Sequence, residues 1–134
     1  MSNMYQVVTG YGGFLRLNGV SSRSLNATLL FRGLSAQEVK TEIDAARPVI
    51  VGIAPGGGFA LPNASQHIAV LVGYDYTRGT DEVVINDPYP FDIVPSPNPY
   101  VAAGGVRIGA AQFRVRISAL LGLLGWANTI YQIQ

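Results

Sequence analysis

A histidine at the head of an apolar run and an acidic residue at the end of the next run are the residues best suited to chemistry in this chain. His67 opens the run His-Ile-Ala-Val-Leu-Val-Gly-Tyr-Asp, and Asn86 and Asp87 close the run Val-Val-Ile-Asn-Asp. An imidazole hydrogen-bonded to a carboxylate or carboxamide is the part of a hydrolytic site that takes a proton from a thiol or hydroxyl nucleophile. His67 is therefore a candidate base, with Asp87 as its partner and Asn86 as the alternative.

The spacing around these residues predicts an antiparallel hairpin. Apolar runs lead into and out of a turn that contains Arg78-Gly79. If the turn centres there, residues paired across the hairpin have numbers that sum to about 157, and His67 then faces a point about three residues beyond Asp87. At about 3.3 Å per residue the two side chains begin about 7 to 10 Å apart. A bulge, or the bend before Pro88, is needed to close that gap.

Alternation along the first strand gives a second expectation about His67. The residues that share its face are small or mixed in size: Ala69, Leu71 and Gly73. The opposite face carries the β-branched residues Ile68, Val70 and Val72. Because the larger apolar residues lie on the opposite face, we expect the His67 face to line a cleft rather than the centre of a core.

The elements on either side of the hairpin predict an α+β domain. Ser35-Ala-Gln-Glu38 is a capping box that starts a helix, and Pro48 forbids its continuation. The apolar stripe of this helix is Val39, Ile43 and Ala46. Val49 to Ile53 follows as a buried strand. Near the C-terminus we expect a short helix over Leu120 to Trp126 and a strand over Thr129 to Gln134.

Composition excludes several classes of function. The chain has 134 residues, a formal charge of +1 and 49% hydrophobic residues, which fits one globular domain and neither a nucleic-acid-binding protein nor a disordered one. The apolar stretch Ile117 to Ile133 contains polar residues and is too short for a membrane span, so we predict none. The start of the chain lacks the pattern of a cleavable signal peptide.

Residue counts also limit the chemistry. The chain has one histidine and no cysteine, which excludes a multi-histidine metal site, disulfides and a thiol nucleophile within this polypeptide. The carboxylates are spread over loops without a calcium-binding pattern. We therefore expect no metal and no cofactor.

Three segments together resemble the C-terminal half of papain-like cysteine peptidases, of the bacteriocin-processing type and related bacterial secreted or effector peptidases. The segments are Ile43 to Ile53, Gln66 to Asp75 and Val83 to Tyr89, and the resemblance covers about residues 33–90. It implies a papain-like antiparallel β-sheet with one or two packed helices. It also implies that His67 is the general base and Asp87 its orienting partner, with Asn86 as second choice.

The sequence departs from that family at the nucleophile. Family members carry a cysteine, usually preceded by a glutamine, at the start of a helix upstream of this region, and this chain has no cysteine. The serines Ser21, Ser22 and Ser24 lie in the linker portion by this alignment, so we do not assign them as the nucleophile. Residues 1–134 are thus expected to be a single papain-like domain, or a half-domain that lacks the nucleophile-bearing N-terminal helix.

Three interpretations of function remain open at this point. In the first, the chain is the base-bearing half of a peptidase for peptide or protein substrates, completed by a cysteine on an upstream segment or a partner chain. In the second, it is a catalytically inactive binding module that uses the Pro55 to Pro62 loop and the Phe91 to Tyr100 segment as contact surfaces. In the third, it is an unrelated small α+β binding protein. The apolar C-terminal stretch also allows a homo-oligomer.

Overall fold

The computed structural model describes residues 4–6, 9, 26–54, 67–89, 91 and 98–134. Residues 4–6 and 9 are helical, and Thr9 Oγ1 donates to the carbonyl of Tyr5 at 2.9 Å. The following elements are, in chain order, β1 (Thr28–Leu30), α1 (Ala36–Asp44), β2 (Val49–Ile53), β3 (His67–Asp75), β4 (Glu82–Asn86), α2 (Pro99–Ala102), β5 (Val106–Gly109), β6 (Gln112–Arg116), α3 (Ile117–Leu121) and β7 (Asn128–Tyr131).

The strands form one seven-stranded antiparallel sheet in the order β1-β7-β2-β3-β4-β6-β5. One face carries the apolar core, which includes Val49, Val51, Ile53, Ala69, Leu71, Val83, Ile85, Phe113 and Val115. Helix α1 packs on β2 and β3, α2 packs on β5 and β6, and α3 packs on β6. The α+β class with an antiparallel sheet is as predicted.

Helix α1 begins where the capping box predicts. The amide of Glu38 donates to Ser35 Oγ at 3.3 Å, and the amide of Ser35 donates to Glu38 Oε2 at 2.8 Å. The helix ends at Asp44, and the predicted stripe is wrong at its end because Ala46 lies beyond the helix, is exposed and has a φ of 56°.

Glu42 is buried on α1, although no pattern in the sequence indicates a buried carboxylate there. Its two oxygens accept from Arg47 at 2.8 and 2.9 Å, and Oε2 also accepts from the backbone amide of Gln132 at 2.9 Å. The hydrogen bonds from Arg47 hold the pKa of Glu42 below its ordinary value despite burial. The Glu42 carboxylate therefore joins α1 to Arg47 and to Gln132, the residue after β7.

The C-terminal helix and strand begin at earlier residues than the sequence predicts. The helix covers Ile117–Leu121 rather than Leu120 to Trp126, because the chain turns at Gly122 and at Gly125, whose φ is 57°. The strand is Asn128–Tyr131, and Gln132 leaves the extended conformation with a φ of 54°. Within the described residues, no helix has the length and apolar character needed to cross a membrane.

The hairpin predicted around Arg78-Gly79 is present as β3 and β4. Next to the turn, Asp75 pairs with Glu82, as the predicted register requires. A bulge then intervenes between Leu71 and Gly73, and beyond it Leu71 pairs with Ile85, one residue earlier than predicted. The extra residue in β3 changes which side chains lie opposite each other for the rest of the hairpin.

Candidate active site

The altered register places His67 and Asp87 on the same face of the sheet. Leu71 and Ile85 are opposite each other and both buried, so continuing the pairing by two residues sets Ala69 opposite Asp87. His67 is two residues further along β3, on the same face. On its other side His67 pairs with Ile53 of β2. Both candidate residues thus lie at one end of the core face.

The side chains of His67 and Asp87 are in contact. Nε2 of His67 lies 2.6 Å from Oδ2 of Asp87. Asn86 lies one position earlier on β4 and is exposed, and its Oδ1 accepts from Gln112 Nε2 at 2.9 Å. Of the two partners that the sequence left open, the structure therefore brings Asp87 to the imidazole and leaves Asn86 paired with Gln112.

The carboxylate of Asp87 is buried, with 1% of the residue exposed, and it accepts two further hydrogen bonds. Tyr100 donates its hydroxyl to Oδ2 at 2.7 Å, and the backbone amide of Tyr89 donates to Oδ1 at 3.0 Å. Burial by itself raises the pKa of Asp87, but the hydrogen bonds from His67, Tyr100 and Tyr89 outweigh it and hold the pKa below its ordinary value. Asp87 is therefore a carboxylate near neutral pH.

The ionised carboxylate fixes which nitrogen of His67 carries a proton. A carboxylate only accepts hydrogen bonds, so Nε2 must donate to Asp87. No residue in the described part of the chain contacts Nδ1 by a hydrogen bond. In the neutral ring, Nδ1 therefore holds the lone pair that can accept a proton.

Two aromatic rings pack against the imidazole. The ring of Tyr89 lies edge-on to His67 at a centroid distance of 5.5 Å, and Phe91 lies edge-on at 6.2 Å. One quarter of the His67 side chain (25%) is exposed, and Tyr89 is 46% exposed. The imidazole is thus packed by apolar rings but open to an approaching group.

The expectation that the His67 face lines a cleft is wrong. Ala69 and Leu71 on that face are buried in the core, whereas Val72 on the other face is exposed. Gly73 does not share the His67 face, because the bulge interrupts the alternation and Gly73 pairs with Val84. Side-chain size is a poor guide here because helices cover the face of Ala69 and Leu71.

Sequence reasoning missed Tyr100. The segment that ends at Tyr100 is rich in proline and enters the sequence analysis only as a contact surface, yet Asn98-Pro99 is also the signature of a helix start with proline in its first turn. The Asn98 side chain accepts from the amides of Tyr100 and Val101 at 3.0 and 3.2 Å. A buried tyrosine needs a partner for its hydroxyl, and here that partner is Asp87.

Two groups of candidates named from the sequence fall wholly or mostly outside the residues that the structure describes. The structure does not describe the serines Ser21, Ser22 and Ser24 or the Pro55 to Pro62 loop. It also leaves out most of the segment between Phe91 and Tyr100. In the part that is described, no three histidine or acidic side chains come together in a group able to hold a metal ion.

Comparison with known proteins identifies the family. The model of the family described as "Peptidase_C39 like" matches residues 2–94, well over half of the chain. The match begins about thirty residues before the stretch whose resemblance we noted, and it contains both His67 and Asp87. No curated protein matches the chain. The α+β fold with its antiparallel sheet is the papain-like fold expected of this family, although the chain has no cysteine. The chain belongs to the Peptidase_C39-like family.

Proposed function

We propose that this chain is the base-bearing part of a papain-like cysteine peptidase, with His67 as the general base and Asp87 as the residue that orients it. The observation that carries the proposal is the 2.6 Å contact between Nε2 of His67 and Oδ2 of Asp87 at an exposed edge of the core. Membership of a peptidase-like family supports the same reaction class. Because the chain has no cysteine, the thiol comes from an upstream segment or from a partner chain.

The chemistry follows from the tautomer of His67. Nδ1 accepts the proton of the thiol, which leaves a thiolate beside an imidazolium that Asp87 stabilises through Nε2–H. The thiolate attacks the carbonyl carbon of a peptide bond, and the imidazolium returns its proton to the leaving amine. Water then hydrolyses the thioester with the imidazole again acting as base. Without a thiol the chain is inert.

Reconstitution with a cysteine-bearing segment tests this proposal. The chain is co-expressed with the sequence encoded upstream of it, or purified with any protein that accompanies it, and peptide hydrolysis is followed with a mixture of fluorogenic peptides. We expect hydrolysis only when a cysteine at a helix start is present. His67→Ala should reduce kcat by about a hundredfold or more, as for loss of a general base.

The hairpin offers a matched control pair for that experiment. Asp87→Asn should lower kcat, since its amide cannot stabilise the imidazolium as a carboxylate does. Asn86→Ala should leave kcat unchanged, because Asn86 faces away from the imidazole and contacts Gln112. Hydrolysis that His67→Ala leaves intact rules out His67 as the base.

A second candidate function is a non-catalytic papain-like binding module, and the complete lack of cysteine favours it. In that case no cysteine is encoded upstream and no accompanying chain supplies one. A protein partner should then bind the chain equally well with His67→Ala, because the imidazole has no chemical role in binding. A nucleophile found in either place excludes this alternative.

A further inference from the structure

We propose that Tyr100 is a positioning residue: its hydroxyl fixes the orientation of the Asp87 carboxylate and, through it, the tautomer and ring orientation of His67. The catalytic consequence of this inference rests on the proposed function. The structural consequence concerns the chain alone and is measurable without a thiol.

The three donors on Asp87 divide between its two oxygens. Oδ1 accepts from the backbone amide of Tyr89, while Oδ2 accepts from both the Tyr100 hydroxyl and His67 Nε2. A carboxylate held at one oxygen alone can rotate about its χ2 bond, which is a soft torsion. With Tyr100 on the second oxygen the plane of the carboxylate is fixed, and the remaining acceptor site of Oδ2 points to His67.

Tyr100 is itself held rigidly enough to act as a reference point. It is fully buried, and its ring stacks on Phe113 with a centroid distance of 4.8 Å and an interplanar angle of 16°. Phe91 packs edge-on against it at 5.9 Å. Its backbone amide donates to the side chain of Asn98, the N-cap two residues before it, so Tyr100 lies in the first turn of α2.

The hydroxyl serves a purpose that packing alone does not explain. A phenylalanine would fill the same space without bringing a polar group into the core, and a buried hydroxyl without a partner is costly. The hydroxyl donates to Asp87, the group that also binds His67. Burial, and then the hydrogen bond to Asp87, raise the pKa of Tyr100 well above its usual range. Tyr100 therefore stays a protonated donor throughout the pH range in which a peptidase works.

The single histidine of the chain makes the test clean, because every imidazole signal comes from His67. The tautomer ratio of His67 is measured by imidazole nitrogen NMR, together with the solvent-exchange rate of the Nε2 proton. In the unaltered chain we expect the Nε2–H form to predominate. Tyr100→Phe should lower the ratio of Nε2–H to Nδ1–H by about tenfold and speed exchange of that proton, the effect of weakening one hydrogen bond to a charged group.

Tyr76→Phe is the matched control. The Tyr76 hydroxyl also makes a single hydrogen bond, to the carbonyl of Ala36 at 2.8 Å, at the N-terminus of α1. The Tyr76→Phe variant loses one hydroxyl and one hydrogen bond without touching Asp87. We expect the His67 imidazole signals of this variant to match those of the unaltered chain. If Tyr100→Phe also matches the unaltered chain, the positioning role is wrong.

A measurement on the unaltered chain covers the case in which Tyr100→Phe does not fold. The Tyr100 hydroxyl proton and the His67 Nε2 proton point at one oxygen atom, so they must be close enough to give a nuclear Overhauser effect. The presence of this effect supports the inference, and its absence between well-resolved signals of both protons overturns it.

In the reconstituted enzyme, Tyr100→Phe should lower kcat more than it changes KM. Displaced imidazole signals with no hydrolysis by the unaltered complex would retain the positioning role while refuting the proposed function.

Discussion

His67 and Asp87 lie on the same face of neighbouring antiparallel strands but two residues apart in register, so the imidazole reaches the carboxylate diagonally across the hairpin. The bulge at Val72 creates this relationship. In a regular ladder counted from the turn, Asp87 would lie opposite Val70 and would point to the other face. The extra residue in β3 sets it opposite Ala69 instead.

Single-residue deletions in β3 test this account of the register. Deleting Val72 removes only the extra residue and keeps the pairs on both sides of it, so the imidazole NMR signals of His67 should be retained. Deleting Val70 shifts the end of β3 by one residue and turns His67 to the other face. That variant should lose the slowly exchanging Nε2 proton. The reverse pattern would contradict the observed register.

The depressed pKa of Asp87 predicts a specific acid dependence of stability. Because the pKa in the folded state lies below the ordinary value of 3.8, the carboxylate stabilises the fold above pH 3.8, and this contribution is lost as the pH falls through the folded pKa. At pH 7 the free energy of unfolding should be about 2 kcal/mol lower for Asp87→Asn than for the unaltered chain. Urea unfolding should show that difference narrowing below pH 3.8. If the difference in unfolding free energy does not change with pH, the Asp87 carboxylate is not stabilised by the fold. Asn86→Ala, which removes no titrating group, is the control.

The two helix caps should differ in what they affect. Asn98→Ala and Ser35→Ala each remove a side-chain cap and should each cost about 1 kcal/mol in the free energy of unfolding. Only Asn98 starts the helix that carries Tyr100, so only Asn98→Ala should also alter the imidazole signals of His67. Thermal unfolding and NMR of both variants check this. Equal imidazole spectra in the two would show that α2 does not support the site.

Helix α1 carries one buried and one exposed carboxylate, whose contributions to stability can be compared. Glu42 is buried and binds both Arg47 and the amide of Gln132, so Glu42→Gln should lower the free energy of unfolding by about 2 to 3 kcal/mol. Asp44 is exposed, pairs with Lys40 and accepts from the Tyr74 hydroxyl, and Asp44→Asn should cost less than Glu42→Gln because solvent screens an exposed pair. Denaturant titration distinguishes the two. Equal costs would mean that the Glu42 contacts contribute no more than a surface ion pair.

Local signals predicted the elements that place the site. The capping box at Ser35 and the hairpin around Arg78-Gly79 depend on interactions within a few residues, which a sequence displays directly. Hairpin geometry also predicts that His67 and Asp87 lie near each other, but their contact depends on the bulge between Leu71 and Gly73, whose position the sequence does not show. The catalytic meaning of the contact stays a prediction.

Features of the site that depend on long-range packing could not be predicted from the sequence. The cleft predicted for the His67 face depended on which face the helices cover, and strand alternation does not contain that information. Tyr100 reaches Asp87 from a separate helix thirteen residues away, beyond any local pattern. Burial of Glu42 likewise depends on Gln132 at the other end of the chain. These features follow from the assembled sheet.

The reactivity of a supplied thiol tests the central claim most directly. The chain is combined with its cysteine-bearing segment, and alkylation of the cysteine by iodoacetamide is measured at about pH 6, where an ordinary thiol of pKa about 8.5 is almost entirely protonated. We predict alkylation about tenfold faster, or more, than for the same segment alone, and a return to the slow rate with His67→Ala. Equal rates with and without the imidazole would contradict the account, because they would show that His67 takes no proton from the thiol.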